Sequence, residues 1–176
     1  MITTVNNFLS LLVVFGQILI VALVFSLVFS KSSKFLEFFR GKALFFAFIV
    51  VLASTLGSLF YSEVAGYEPC KLCWFQRIFM YPQVVLLGLA LAKKDKGIGD
   101  YSLALAVPGA VIATYHYLLQ IGVASPLPCS AVGYSVSCSQ IFVMNLGYIT
   151  IPLMALTAFS LVIVLFLNQK LSGRKD

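Results

Sequence analysis

The fold is decided by an uncharged stretch at residues 43–61, which reads ALFFAFIVVLASTLGSLFY. About 20 apolar residues cross the roughly 30 Å hydrocarbon core of a bilayer as a helix. The segment must be helical because lipid offers no partners for backbone hydrogen bonds. Four further segments are long and apolar enough to do the same, at residues 8–29, 73–92, 101–119 and 147–167. The sequence therefore predicts an all-α integral membrane protein with five transmembrane helices.

The composition argues against other classes of protein. Of the 176 residues, 61% are hydrophobic and 10% are charged, whereas soluble domains are about 45–50% apolar and about 25% charged. The net charge of +6 does not indicate a nucleic-acid partner, because the basic residues lie in short runs between apolar segments. A water-soluble enzyme, a disordered chain and a nucleic-acid-binding domain are all disfavoured.

The charges of the loops predict the orientation. Ten of the 12 Lys and Arg residues lie in residues 31–42, 93–100 and 169–176. Cytoplasmic loops are enriched in Lys and Arg, so we expect these regions and the C-terminus in the cytoplasm. The N-terminus and the loops at 62–72 and 120–146 then lie outside. The first segment is interpreted as a retained helix, since it lacks the basic start and the small-residue cleavage site of a signal peptide.

All four cysteines fall in or beside the two predicted outer loops, where disulfides persist. Cys70 and Cys73 form a CxxC at the outer start of the third predicted helix, where the helix dipole favours a thiolate. Lys71 adds positive charge, and Arg77 lies one turn beyond Cys73. Such a thiolate is both an attacking group and a good leaving group in disulfide exchange. A structural staple and a zinc site are the alternatives, zinc being disfavoured by the wide spacing of the other two cysteines.

Cys129 and Cys138 bracket the polar stretch SAVGYSVS. A disulfide between them would close a short exposed loop, and exposed disulfides tend to be the labile ones. Two such pairs at one membrane surface favour an electron relay, while a purely structural role for this pair stays open.

Two cationic side chains are expected just below the outer surface. Arg77 lies four residues beyond Cys73, about 6 Å deep, and His116 lies four residues before Gln120 at the outer end of the fourth predicted helix. Ionisable residues within spans usually face a functional interior. Together they predict a pocket for a lipid-soluble acceptor whose oxygens they would stabilise. Snorkelling of Arg77 and an interhelical hydrogen bond from His116 are the alternatives.

The motif CKLCWFQRIFMYP at residues 70–82 resembles the signature of the disulfide bond formation protein B family (DsbB), especially its shorter BdbC-like members. TYHYLLQ at 114–120 and GYITIP at 147–152 resemble later segments of that family. The resemblance implies a multi-pass thiol oxidase of the bacterial cell (inner) membrane. It would pass electrons from a thioredoxin-like DsbA/BdbD-type thiol oxidase to ubiquinone or menaquinone of the quinone pool.

The resemblance also implies roles for the cysteines. Cys129 would form the mixed disulfide with the partner, and Cys138 would complete the Cys129–Cys138 pair. The Cys70–Cys73 pair would be coupled to the quinone, with Cys73 facing it, and the two cations Arg77 and His116 would contact or polarise it.

The similarity covers roughly residues 43–168 and divides the chain into three parts. These are an extra N-terminal transmembrane helix with a basic loop (1–42), a four-helix transmembrane bundle with two outward cysteine loops (43–168), and a cytoplasmic basic tail (169–176). The first part has no counterpart in four-span members of the family. Two alternative functions stay open, a non-enzymatic scaffold with structural disulfides and a vitamin K epoxide reductase-like enzyme.

Overall fold

The computed structural model describes residues 2–29, 34–95, 97–124 and 136–172, and within them all regular structure is helical. The helices are α1 (Ile2–Phe29), α2 (Lys34–Gly41), α3 (Ala43–Leu59), α4 (Lys71–Lys93), α5 (Ile98–Gln120) and α6 (Ile151–Ser172). In these residues five helices are long and apolar enough to span a membrane, namely α1, α3 with the turn that follows it, α4, α5 and α6. The predicted all-α membrane fold with five spans is confirmed.

Helices α3 to α6 form a four-helix bundle, in which α5 packs between α4 and α6, and α3 packs on α4 and α6. The contact between α5 and α6 is close, because a Cβ atom at Gly109 would collide with the ring of Phe159. Phe159 is fully buried, together with Leu87 of α4 and Leu165 of α6. Helix α1 lies outside this bundle, against α6.

The basic loop predicted at 31–42 contains a short helix, α2, that the sequence analysis did not anticipate. Its Leu36 is buried, and the Leu36 carbonyl accepts a hydrogen bond of 3.1 Å from the Asn168 side chain of α6. Charged residues recur at every third position of α2, at Lys34, Glu37 and Arg40, so they share one exposed side of the helix, while Leu36 packs on the bundle.

Several of the predicted span ends are shifted, including the start of α1, which lies at Ile2 instead of residue 8. Helix α3 continues through a π-helical turn at Phe60–Val64, which buries Tyr61. Helix α6 begins at Ile151 instead of 147, because the preceding residues form a tight turn in which Asn145 and Ile149 exchange backbone hydrogen bonds of 2.8 and 2.9 Å. That turn places Gly147 at a φ of 76°, in the left-handed region that glycine adopts freely.

Candidate active site

The CxxC motif lies at the start of α4, as the sequence predicts. Cys70 is the N-cap residue of the helix, and its Sγ accepts a hydrogen bond of 3.5 Å from the backbone N–H of Cys73. The two sulfur atoms are 3.4 Å apart, and both cysteines are free thiols. The Cys70 thiol donates to Cys73 Sγ, so Cys73 is the sulfur positioned to carry negative charge.

The environment of Cys70 keeps its proton on the sulfur. Its pKa is raised to about 12, first because the thiol donates a hydrogen bond to Cys73 and then because burial disfavours the thiolate. The hydrogen bond from His116 acts in the opposite direction. The two sulfur atoms of the motif are therefore unequal, with Cys70 as the protonated member of the pair.

His116 is buried behind Cys70. Its Nε2 atom lies 3.7 Å from Cys70 Sγ and 3.0 Å from the backbone carbonyl oxygen of Cys138, and its Nδ1 lies 3.0 Å from the side-chain amide of Gln76. The imidazole thus links the CxxC to the second outer loop. Gln76, for which no role was predicted, fixes the orientation of the ring. Its place on the buried face of α4, four residues before Met80, is the sequence feature that could have indicated this role.

Arg77 is held against α3. Its Nε donates to Ser58 Oγ and its Nη2 donates to the Ser58 carbonyl, both at 3.1 Å. The guanidinium also lies over the rings of Trp74 and Tyr81, 5.3 and 5.8 Å from their centroids. Bound in this way, the guanidinium is tied to a neighbouring helix instead of extending freely to the membrane surface. It is also close enough to interact electrostatically with Cys73.

A cavity of about 430 Å³, called the main cavity below, lies between α1, α3, α4 and α6. Cys73, Gln76 and Arg77 border one end of it, and most of the remaining wall is apolar. Apolar pockets with a few convergent polar groups are the usual form of a small-molecule site. His116 borders instead a small second cavity next to Cys70. The structure thus places Arg77 at the main cavity and His116 at the second cavity, with Cys73 bordering both. That both side chains face one acceptor stays a prediction.

Cys138 is buried against the CxxC. It packs with Cys70 and Leu119 in one apolar cluster, against which Cys73 also packs. The segment is held to α5 by a hydrogen bond of 2.9 Å from the Gln120 side chain to the carbonyl of residue 140. Cys129 lies outside the described residues, so the pairing of Cys129 with Cys138 stays a prediction.

Three of these groups have the spacing of metal ligands. The sulfur atoms of Cys70 and Cys73 and a ring nitrogen of His116 all lie within 4.8 Å of one another. Thiolate and imidazole are ligands that zinc and copper ions accept. The same three groups are also what disulfide exchange requires, so geometry alone permits both uses.

A reactive dithiol enclosed by membrane helices is characteristic of membrane thiol oxidases, which is the class that the fold and the site define. The chain belongs to the DsbB family, because the family described as "Disulfide bond formation protein DsbB" matches residues 40–169. It is therefore a multi-pass membrane protein of disulfide formation, with the oxidoreductase activity of that family. The matched residues begin at 40, so α1 lies outside them.

Several relatives support this assignment. The chain is 47% identical over 117 residues to "Probable disulfide formation protein C 1" of Bacillus anthracis, covering 66% of this chain and 84% of the relative. It is 42% identical over 123 residues to "Disulfide bond formation protein C" of Bacillus subtilis (strain 168), covering 69% of this chain and 87% of the relative. It is also 39% identical over 128 residues to "SPbeta prophage-derived disulfide bond formation protein B" of the same strain, covering 73% and 85%. No solved structure is significantly similar to the chain.

Proposed function

We propose that the protein is a membrane thiol:quinone oxidoreductase that reoxidises a thioredoxin-like thiol oxidase outside the cytoplasm. The observation that carries the proposal is that Cys73, the hydrogen-bond acceptor of the CxxC, borders the main cavity. A redox-active sulfur beside a large apolar cavity inside a helix bundle suits a lipid-soluble electron acceptor. Ubiquinone and menaquinone both fit this description.

The proposed reaction balances in electrons and protons. The partner's dithiol loses two electrons and two protons and becomes a disulfide, and the quinone leaves as quinol. Within the chain, a partner thiolate attacks the Cys129–Cys138 disulfide, and the resulting dithiol is reoxidised by exchange with the Cys70–Cys73 disulfide. When bound, the quinone supplies the terminal two-electron oxidation that restores Cys70–Cys73. The packing of Cys138 against Cys70 supports exchange between the two pairs.

The chain's own residues prepare the two sulfur atoms for different steps. Arg77, fixed by Ser58, places positive charge at the polar end of the main cavity, where oxygen atoms of the acceptor would accept hydrogen bonds. His116 Nε2 faces both the Cys138 carbonyl, which can only accept, and the Cys70 sulfur, so its N–H would stabilise that sulfur when the Cys70 proton leaves during reoxidation of the pair. This divides the roles predicted for the two cations, with Arg77 acting toward the acceptor and His116 toward Cys70.

The proposal also places both cysteine pairs on the extracytoplasmic side of the cell membrane. It is supported by the concentration of basic residues in the regions at the opposite ends of the helices. The partner would then dock at the outer surface, where Cys138 and the start of α4 lie.

The test is quinone reduction by purified protein supplied with a reduced thioredoxin-like dithiol and either ubiquinone or menaquinone, followed by ultraviolet absorbance. We expect the parent protein to reduce one of the two quinones and Cys73→Ala to abolish the reaction. Ser62→Ala is the control, since within the described part of the chain its hydroxyl bonds only to Glu63 and to the carbonyls of Ser58 and Leu59. Equal activity of Cys73→Ala and the control would contradict the proposal. Absence of reduction by the parent protein, with both disulfides intact, would favour the scaffold.

A further inference from the structure

We propose that helix α1 forms one wall of the part of the main cavity that would hold the polyisoprenoid tail of the quinone, and that this wall contributes to the affinity for long-tailed quinones. The inference rests on the proposed function, since it assigns a quinone to the polar end of the cavity. It concerns a helix that lies outside the residues matched by the family.

The main cavity is long. Along α6 its wall extends from Ile151 to Leu165, which is about 21 Å at 1.5 Å per residue. Cys73 and Arg77 lie at the end near Ile151, whereas Phe39 and Leu165 mark the other end. A cavity with one polar end and a long apolar remainder is shaped for a compact polar ring that carries a long hydrocarbon chain.

Helix α1 closes the side of the cavity that the four-helix bundle leaves open. It contributes Leu9, Leu12, Val13, Phe15, Gly16 and Leu19 to the wall. On one side, Gly16 lets α1 approach α6 closely, because an added Cβ would lie 3.1 Å from Leu161 and Thr157. On the other side, the Leu9 side chain reaches α3, where it lies 3.6 Å from the position of a Cβ at Gly57. Helix α1 therefore bridges the groove between α3 and α6.

Hydrogen bonds fix α1 in this position. Tyr61 donates to Asn6 Oδ1 at 3.0 Å, and the Asn145 side chain donates to Ser10 Oγ at 2.9 Å. Side-chain hydrogen bonds of this kind hold transmembrane helices in a defined register, which apolar contacts with lipid do not provide. The partners on the bundle, Tyr61 and Asn145, belong to the residues that the family matches. Helix α1 is thus docked on the family bundle as a specific part of the cavity.

The experiment measures binding and does not require turnover. Trp74 is the only tryptophan of the chain and lies against Arg77, so quenching of its fluorescence reports occupation of the polar end of the main cavity. Long-tailed menaquinone and its tailless analogue menadione are titrated into the full-length protein in detergent, and the corresponding ubiquinone pair is used in parallel. The variant is Val13→Phe, which adds volume to the α1 wall. The matched control is Leu11→Phe on the same helix, where Leu11 is 68% exposed.

We expect Val13→Phe to weaken binding of the long-tailed quinone about tenfold, in line with the cost of overpacking, and to leave the affinity for the tailless analogue within about twofold. The Leu11→Phe variant should bind the long-tailed quinone and the tailless analogue with the same affinity as the parent protein. Leu19→Phe, deeper in the same wall, should repeat the selective loss.

Two results would overturn the inference. Unchanged affinity for the long-tailed quinone in both wall variants would show that α1 does not contact the tail. Equal weakening of the long-tailed and tailless quinones would show that the variants disturb the polar end or the fold. If the parent protein bound no quinone of either pair, the proposed function itself would fail, and the inference with it.

Discussion

The Nε2 atom of His116 lies 3.7 Å from the sulfur of Cys70, and Cys73, not His116, borders the main cavity. His116 borders a smaller cavity beside Cys70, and Cys73 borders both cavities. Under the proposed function this arrangement separates two tasks, stabilising the sulfur of Cys70 and holding the acceptor, and it leads to distinct predictions for His116 and Arg77.

Replacing His116 with Ala should slow reoxidation of the Cys70 thiol about a hundredfold near neutral pH, because the Nε2–H that stabilises negative charge on the Cys70 sulfur is lost. Quinone affinity should stay close to that of the parent protein. The rate of the variant should rise with pH as more of Cys70 becomes thiolate without help from the histidine. Stopped-flow thiol oxidation across pH checks this, with Thr114→Ala, an exposed position on the same helix, as the control. A large loss of quinone affinity with an unchanged pH profile would instead place His116 at the acceptor.

Gln76 should act through His116. Its side-chain amide lies 3.0 Å from His116 Nδ1, so Gln76→Leu removes the partner that orients the ring, and we expect about tenfold slower reoxidation of Cys70, as for other outer partners of a histidine. Gln76→Asn keeps a side-chain N–H for Nδ1 and should retain more of the rate than Gln76→Leu. A pH profile of both variants separates this positioning role from simple loss of stability, which would lower the amount of folded protein without moving the profile.

Binding of the quinone by Arg77 should depend on the hydrogen bonds that hold Arg77 to Ser58. Lys cannot reproduce two directed hydrogen bonds to the Ser58 hydroxyl and carbonyl, so Arg77→Lys should weaken binding of menadione about tenfold. Ser58→Ala leaves one of the two bonds and should cause a smaller loss. Trp74 fluorescence titration measures both variants, and equal affinity of Arg77→Lys and parent protein would contradict the assignment.

The reduced CxxC should react unevenly with alkylating reagents. The pKa of Cys70 is raised to about 12, so below that pH Cys70 remains a thiol, and the thiolate is the reactive species. We expect Cys73 to be modified first at pH 8, and Cys70 to gain reactivity only as the pH approaches 12. Peptide mapping after timed alkylation reads the two sites separately. Faster modification of Cys70 than of Cys73 at pH 8 would contradict the prediction.

Zinc ions should inhibit the reduced protein. The sulfur atoms of Cys70 and Cys73 and a nitrogen of His116 lie within 4.8 Å of one another, and zinc binds such donors at about 2.0–2.3 Å. The disulfide form should not bind zinc, because its sulfur atoms are no longer thiolates. Calorimetric titration of the reduced protein tests this, with His116→Ala expected to weaken binding about tenfold. Equal binding by the oxidised protein would exclude this site.

The spans and the CxxC could be predicted because both depend on local sequence. Each apolar run is long enough to cross the bilayer, and the surrounding lipid forces it to be helical. Cys70 caps α4 because the motif stands where that run begins. The predicted start of α6 was wrong by four residues, because a hydropathy pattern does not reveal the hydrogen bonds of the Asn145–Ile149 turn.

The sequence alone determined the number of membrane-spanning helices, their composition and the reactive pair at the start of α4. The tertiary structure decided which sides of those helices meet, and with them the place of His116, the role of Gln76 and the wall that α1 adds to the main cavity. The physical reason is that a helix apolar on all sides carries little information about its rotation. That rotation is set by close packing at Gly16 and Gly109 and by a few buried hydrogen bonds between helices.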